Sequence, residues 1–172
     1  MPASDQGVAQ SRTRYHLVPR VLCFVTSGDE VLLLKGAPDK KLWPNQYNGL
    51  GGHIERGESP PAAAEREIRE EAGLAVRDLR LRGVITIEAG EAVGIGLYVF
   101  TAVALSRQTV ASHEGLLEWV TRPELAQRDL VEDLPALLPR VLGMPPDAAP
   151  FGAHYSYDPA GRLRIEFFDS DK

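Results

Sequence analysis

The stretch Gly52–Leu74, GHIERGESPPAAAEREIREEAGL, decides how this chain folds. Ser59 followed by Pro60 is a helix start: the serine hydroxyl can accept from an unpaired first-turn amide, and proline at the first helical position has no amide to satisfy. Gly73 is the stop, because helices end readily on a residue that tolerates left-handed backbone. Ala62, Ala63, Ala64 and Ile68 form a small apolar side that can lie close to a sheet. Glu67, Glu70 and Glu71 share another face, since positions i, i+3 and i+4 are helix neighbours. Arg66 and Glu70 make an ordinary i,i+4 pair, and a solvated charged face is the bland explanation. Glu67 and Glu71, however, are a like-charge pair with no such partner. Glu70 and Glu71 also sit near the C-terminal end of the helix, where its dipole disfavours anions. A divalent cation would stabilise that cluster, and carboxylate oxygens suit magnesium.

Composition sets the outer bounds. A chain of 172 residues with 44% apolar content can bury one good core and is read as a single domain over 14–172, preceded by a disordered lead-in at 1–13. The net charge of −5 offers no basic footprint, which argues against nucleic acid as a stable partner. The single cysteine, Cys23, lies in the apolar run Val21–Val25, as a core thiol does; no disulfide framework is expected, and a reducing, cytoplasmic setting follows. No apolar run approaches membrane-spanning length, and the first residues lack the apolar core of a secretion signal.

Outward from the helix the pattern alternates between strands and turns. Leu17–Val25 and Val31–Leu34 flank the turn Thr26–Asp29 and predict a hairpin. Residues 36–47 are a proline-punctuated loop, and Asn48–Ile54 is short and extended. Val76–Leu105 is strand-like with a break at Glu88–Glu91, and Ile95–Leu105 should be a long central strand. Leu116–Val120 is a short strand, Pro123–Leu125 opens a helical segment, and Asp133 can cap a second helix through Leu142. Ala153, Tyr155 and Tyr157 alternate before a turn at Asp158–Gly161, with Leu163, Ile165 and Phe167 beyond it, predicting a closing hairpin. Strands mixed with two helices fit an α/β sandwich.

The helix segment is more specific than its amphipathicity. Gly52, five residues, Glu58, seven residues, Arg66-Glu67, Ile68, Arg69, Glu70-Glu71, Ala72, Gly73 and Leu74 together resemble the Nudix box at every defined position. The resemblance implies an α/β/α sandwich with a mixed sheet and a magnesium-dependent hydrolase, with manganese as a substitute ion. It also implies metal ligands at Glu67, Glu70 and Glu71, joined by the carbonyl of Gly51 or Gly52. One glutamate of the box or of a later loop would be the general base. Arg66 would orient the glutamates, and Glu58, Gly52 and Gly73 would hold the geometry. Glu114, in Ser112-His113-Glu114-Gly115, stands where related enzymes carry an additional metal-site glutamate; the alternative is an acidic turn residue. His53 is at a variable box position, a phosphate contact or an exposed strand histidine. His16, His113 and His154 lack zinc spacing.

Substrate choice in this family lies outside the box. No proline occurs between Leu74 and Arg122, against the ADP-ribose pattern, and the first tyrosine after the box is Tyr98, too late for the dinucleoside-polyphosphate pattern. Signatures of the coenzyme A and NADH subfamilies are also missing. Tyr47-Asn48-Gly49-Leu50-Gly51-Gly52 is similar to the equivalent segment of the oxidised-purine nucleoside triphosphatases, whose asparagine reads the purine edge. That makes Asn48 the base-reading candidate, against a plain Asn-Gly turn. Glu132-Asp133 falls where those enzymes place an acidic pair, against the alternative of Asp133 as a simple cap. Their stacking aromatic has no counterpart, because Leu134-Pro135-Ala136 stand there. Trp43, Tyr47 or a C-terminal tyrosine would stack instead. The expected function is hydrolysis of a nucleoside triphosphate, such as an oxidised purine dNTP, to monophosphate and pyrophosphate. Hydrolysis of another phosphorylated nucleotide is the alternative, and a non-catalytic sensor is disfavoured by the intact glutamates. Monomer and homodimer, the latter through an exposed strand or the last hairpin, both stay open.

Overall fold

The structure, a computed structural model, describes residues 14–112 and 114–168; the expected lead-in at 1–13 and His113 lie outside them. The strands are β1 (His16–Ser27), β2 (Glu30–Gly36), β3 (Tyr47–Asn48), β4 (Val76–Glu88), β5 (Val93–Ala104), β6 (Gly115–Thr121), β7 (Phe151–Tyr157) and β8 (Leu163–Phe168). The helices are α1 (Pro60–Ala72) and α2 (Leu134–Gly143), with a 3-10 segment at Arg122–Gln127.

One sheet runs β3-β2-β1-β5-β4-β7-β8, and β6 pairs with β2. It is mixed: β1 with β5 and β4 with β7 are parallel, while the other pairs are antiparallel. The β1–β2 and β7–β8 hairpins form as expected, and β5 is internal. Helix α1 lies in the connection from β3 to β4, and the parallel pairs join strands that are not consecutive in the chain, because parallel neighbours need a crossover rather than a tight turn.

Both faces are covered, as the alternation along β1 requires. Successive side chains point to opposite faces. Leu22 and Phe24 join Leu134, Leu137, Leu138 and Val141 of α2 in one apolar cluster. Val21, Cys23 and Val25 join Ala63, Ala64, Ile68 and Ala72 of α1 in the other. The α/β/α layering therefore follows from one strand buried on both sides. Cys23 is buried and free, as a core thiol. Among the described residues, no helix is long and apolar enough to cross a membrane.

Two details differ from expectation. Asp133 precedes α2, but its backbone is helical and its side chain makes no capping hydrogen bond, so the simple-cap explanation fails. Tyr47 is buried rather than pocket-facing: its hydroxyl donates to Glu118 at 2.6 Å, and the Lys35 and Arg128 cations lie 5.6 and 5.7 Å from its ring centre. The alternation of β3 turns Tyr47 into the α2-side core.

Candidate active site

The site begins with how closely Gly49–Gly52 approaches β1. Cys23 N–H donates to Leu50 O at 2.7 Å, and Val21 N–H to Gly52 O at 2.9 Å. A Cβ at Gly51 would stand 2.1 Å from the Val21 carbonyl oxygen. One at Gly52 would stand 2.3 Å from Glu67 Oε1. Only glycine lets this wall pass between β1 and the carboxylates of α1.

Helix α1 is fixed at both ends. Ser59 accepts from the Ala62 amide, and Gly73, at φ 68°, closes the helix with its N–H on Arg69 O. Its alanines lower it onto the sheet and carry Glu71 down with them, leaving that residue 8% exposed.

Arg66 organises the rest. Its Nε and Nη2 grip both oxygens of Glu58 at 2.9 and 3.0 Å, and Nη2 also donates to His53 O at 2.9 Å. Nη1 donates to Glu67 at 2.8 Å and Glu70 at 3.0 Å. The carboxylates push the guanidinium pKa further up, and Arg66, with the Glu55 amide, holds Glu58 below the usual carboxylate range. Glu67 thus has a charge partner that i,i+4 spacing does not reveal: its sequence neighbour, Arg66.

Glu71 has no such cation. It accepts from the Gly51 amide at 2.9 Å. Burial pushes its pKa up to about 8, with Glu114 and Glu67 adding to the rise and the Gly51 amide and Lys40 opposing it. Glu114 is therefore brought to the carboxylate group across forty residues of sequence. Lys40 bonds it at 2.6 Å and ties the 36–46 loop to the loop before β6.

Among the described residues, no three acidic, histidine or cysteine side chains stand in metal-holding geometry. Glu67 and Glu70 face Arg66, and Glu71 faces Gly51. The donor chemistry nonetheless fits a hard cation. The available groups are carboxylate oxygens, and the deepest of them is desolvated among like charges.

Across the glycine wall from α1 lies a cavity of about 440 Å³. The structure brings Trp43, Asn48, Gly51, Gly52 and Asp133 together in its lining. Asn48 borders the cavity, and its Oδ1 accepts from the Gly49 amide at 2.8 Å. Asp133 is desolvated, and burial, aided by Glu132, pushes its pKa up to about 6. Tyr157 donates to Glu132 at 2.5 Å. Among the described residues, the Tyr155 hydroxyl, buried beside Asp133, has no hydrogen-bond partner. Trp43 reaches the lining from a backbone φ of 53°, strained for a bulky residue.

Two lining residues were missed from sequence. Arg20 is the one cation in the lining among the described residues, and its Nε donates to His53 Nε2 at 3.2 Å. Glu88 reaches the cavity from the end of β4. An arginine inside an apolar strand was the available signal for the first; nothing marked the second.

A family model described as NUDIX domain matches residues 16–141. The NAD-capped RNA hydrolase NudC of Pseudomonas aeruginosa is 42% identical over 67 residues, which is 39% of this chain and 23% of that protein. NudC of Mycobacterium tuberculosis is 43% identical over 67 residues, 38% of this chain and 20% of that one. The matched segment thus spans about a fifth to a quarter of these relatives. Among solved structures, the MutT protein from Bacillus halodurans superposes with a TM-score of 0.73 at 25% identity, covering 88% of this chain and 97% of that one. A NUDIX-family hydrolase from Clostridium perfringens gives 0.60 at 25% identity, covering 73% and 95%.

Proposed function

The chain belongs to the Nudix family, and from that premise we propose that it is a pyrophosphohydrolase that cuts a purine nucleoside triphosphate to the monophosphate and pyrophosphate. One observation carries this reading. A single glycine wall separates a base-sized cavity, lined by Asn48, Asp133 and Trp43, from the carboxylates of α1. A nucleotide with its base in the cavity has its phosphates led over Gly51 and Gly52 to Glu67 and Glu71.

Each residue then has a task that its position supports. The Asn48 amide donates to a base acceptor, and Asp133 accepts from a base N–H when ionised or donates when protonated. Trp43 walls the cavity and offers a stacking face. Arg20 meets the phosphate nearest the nucleoside. Arg66 holds Glu67 and Glu70 in place, and Glu71 or Glu114 takes the proton of the attacking water. Nudix enzymes generally use a divalent metal. Magnesium, with manganese as substitute, would be held by Glu67, Glu70, Glu71 and the Gly51 carbonyl, and would neutralise phosphoryl oxygens. The substrate is a small nucleotide met in the cytoplasm, and the net charge of −5 disfavours an RNA chain as its carrier.

A second reading has its own support. The NudC relatives act on NAD-capped RNA, which would make a dinucleotide the substrate. A cavity of about 440 Å³ favours one nucleotide over two. The deciding experiment is a magnesium-dependent hydrolysis panel scored by product identity. It contains the common dNTPs and NTPs, 8-oxo-dGTP, NAD and NADH, ADP-ribose and a dinucleoside polyphosphate. Monophosphate and pyrophosphate released selectively from purine triphosphates is the expected result. Turnover confined to NAD or NADH would replace the proposal with the dinucleotide reading.

A further inference from the structure

A second cavity, of about 230 Å³, opens at the other end of α2. It is lined by Thr26 at the end of β1, Asp78, Arg80 and Arg82 in β4, Thr101–Val103 late in β5, Arg122, Val141, Leu142 and Met144 at the end of α2, and Pro146 beyond it. The base cavity uses the opposite ends of the same elements, from Arg20 on β1 to Asp133 before α2. Ten residues of α2, at 1.5 Å each, put roughly 15 Å between the two.

Three guanidinium groups line this small space. Arg82 is only 7% exposed. Its Nε donates to Thr101 Oγ1 at 2.7 Å and its Nη1 to Pro145 O at 2.8 Å, both neutral acceptors. Three of its five N–H donors have no protein acceptor among the described residues. Burial and the neighbouring Arg80 both lower its pKa. Arg80 donates to Pro146 O at 2.9 Å and has Asp78 at 3.9 Å. Asp78 has Arg77 as its close partner. The Arg122 guanidinium has no hydrogen bond or ion pair among the described residues, although it borders the same cavity.

A purely structural role accounts for part of this. Arg80 and Arg82 tie the Pro145-Pro146 carbonyls after α2 to β4, and those contacts hold the loop. They do not explain why Arg82 has no carboxylate of its own, since Asp78, which borders the cavity, is taken by Arg77 and Arg80, nor why a third arginine converges on the space. Burying a cation is costly unless it is paired. Guanidinium forks also match tetrahedral oxyanions better than any other side chain does. We propose that this cavity binds a compact phosphate-type oxyanion, held by Arg82, Arg122 and Arg80 with the Thr101 hydroxyl. The site is independent of the base cavity and of the substrate assigned there.

The test uses the full chain and two probes, inorganic phosphate and diphosphate, each against chloride at matched ionic strength. Amide NMR shifts report the location, and a thermal midpoint that rises with anion concentration reports binding. Saturable shifts at Thr101, Ala102, Val103 and Met144 with either probe are expected. Arg122→Ala, on the exposed side of the cavity, should weaken that binding about ten- to a hundredfold, as loss of a charged hydrogen-bond partner does. Arg82→Gln should abolish it, and because Arg82 also braces a loop, the Arg122 variant decides if that protein fails to fold. Shifts confined to Gly51 and Gly52, no saturable shifts at millimolar probe, or unchanged affinity in Arg122→Ala would each overturn the site.

Discussion

Replacing Asp133 by asparagine should make the protein more stable at neutral pH while impairing its selectivity, and the size of the gain follows from the carboxyl's surroundings. Burial and Glu132 move its pKa from the ordinary 3.8 to about 6. Below 3.8 the group is protonated in both folded and unfolded chains, and nothing is lost. As pH rises from there to about 6, the unfolded chain releases its proton first, so stability falls. Above that window the full cost stands, at most about 3 kcal/mol from the free-energy equivalent of the displacement. Asparagine keeps the shape and never ionises. The expected difference between variant and parent is therefore near zero at about pH 3.5 and about 2–3 kcal/mol in the variant's favour at about pH 7.5. Urea unfolding at both pH values measures it. With a slope of about 2 kcal/mol/M, the midpoint should move up by about 1–1.5 M at the higher pH only. Taking variant minus parent at each pH removes the contribution of every other carboxylate. A difference that is equal at the two pH values, or a variant destabilised at pH 7.5, would refute the claim that Asp133 is held desolvated beside the cavity.

The remaining predictions concern the phosphate side. Glu71→Gln should lower turnover by orders of magnitude yet leave the metal-free protein as stable or more so, because it removes a buried carboxyl whose ionisation burial, Glu114 and Glu67 all oppose. Steady-state kinetics and a thermal melt without metal check both halves, and retained turnover would remove Glu71 from the machinery. Arg20→Ala should weaken binding of a nucleoside monophosphate about tenfold or more and leave the bare nucleoside unaffected. Calorimetric titration of the two ligands decides it, since an equal loss for both would make Arg20 a cavity wall and nothing more.

The helix start at Ser59, its stop at Gly73 and the split of β4 from β5 were legible because each is set by local chemistry. So was the layering, because β1 is apolar at consecutive positions and must be buried on both faces. What the sequence hid is what depends on long side chains or distant register. Arg66 reaches Glu58, Glu67, Glu70 and the His53 carbonyl at once, a fan that helix spacing alone reduces to its Glu70 pair. Lys40 meets Glu114 only because the 36–46 loop folds against the approach to β6. Tyr47 was misread because nothing in its neighbourhood reveals that its ring packs into the α2-side core between Lys35 and Arg128, with its hydroxyl on Glu118. Asp133 was ambiguous because a residue before a helix can serve as cap or ligand group, and only its backbone conformation separates the two.

The features that cost this fold stability are not scattered. Glu71 is a carboxylate pressed against like charges, Asp133 is desolvated, the Tyr155 hydroxyl is buried with no hydrogen-bond partner among the described residues, and Trp43 holds a left-handed backbone. Each opposes folding by about 1–3 kcal/mol, and a sequence selected for stability alone would remove them singly. All four border one path, from the cavity over Gly51 and Gly52 to α1. Two of them would improve with the proposed ligands bound: a base would take up the Asp133 carboxyl, and a cation would bind the Glu71 carboxylate. The apolar clusters on the two sheet faces and the Arg66 fan offset the cost, and both reach the path: Leu22, Leu97 and Val131 line the cavity, and Arg66 holds Glu67. Strain gathered where the proposed ligands would relieve it is the distribution expected of a site preorganised for its substrate.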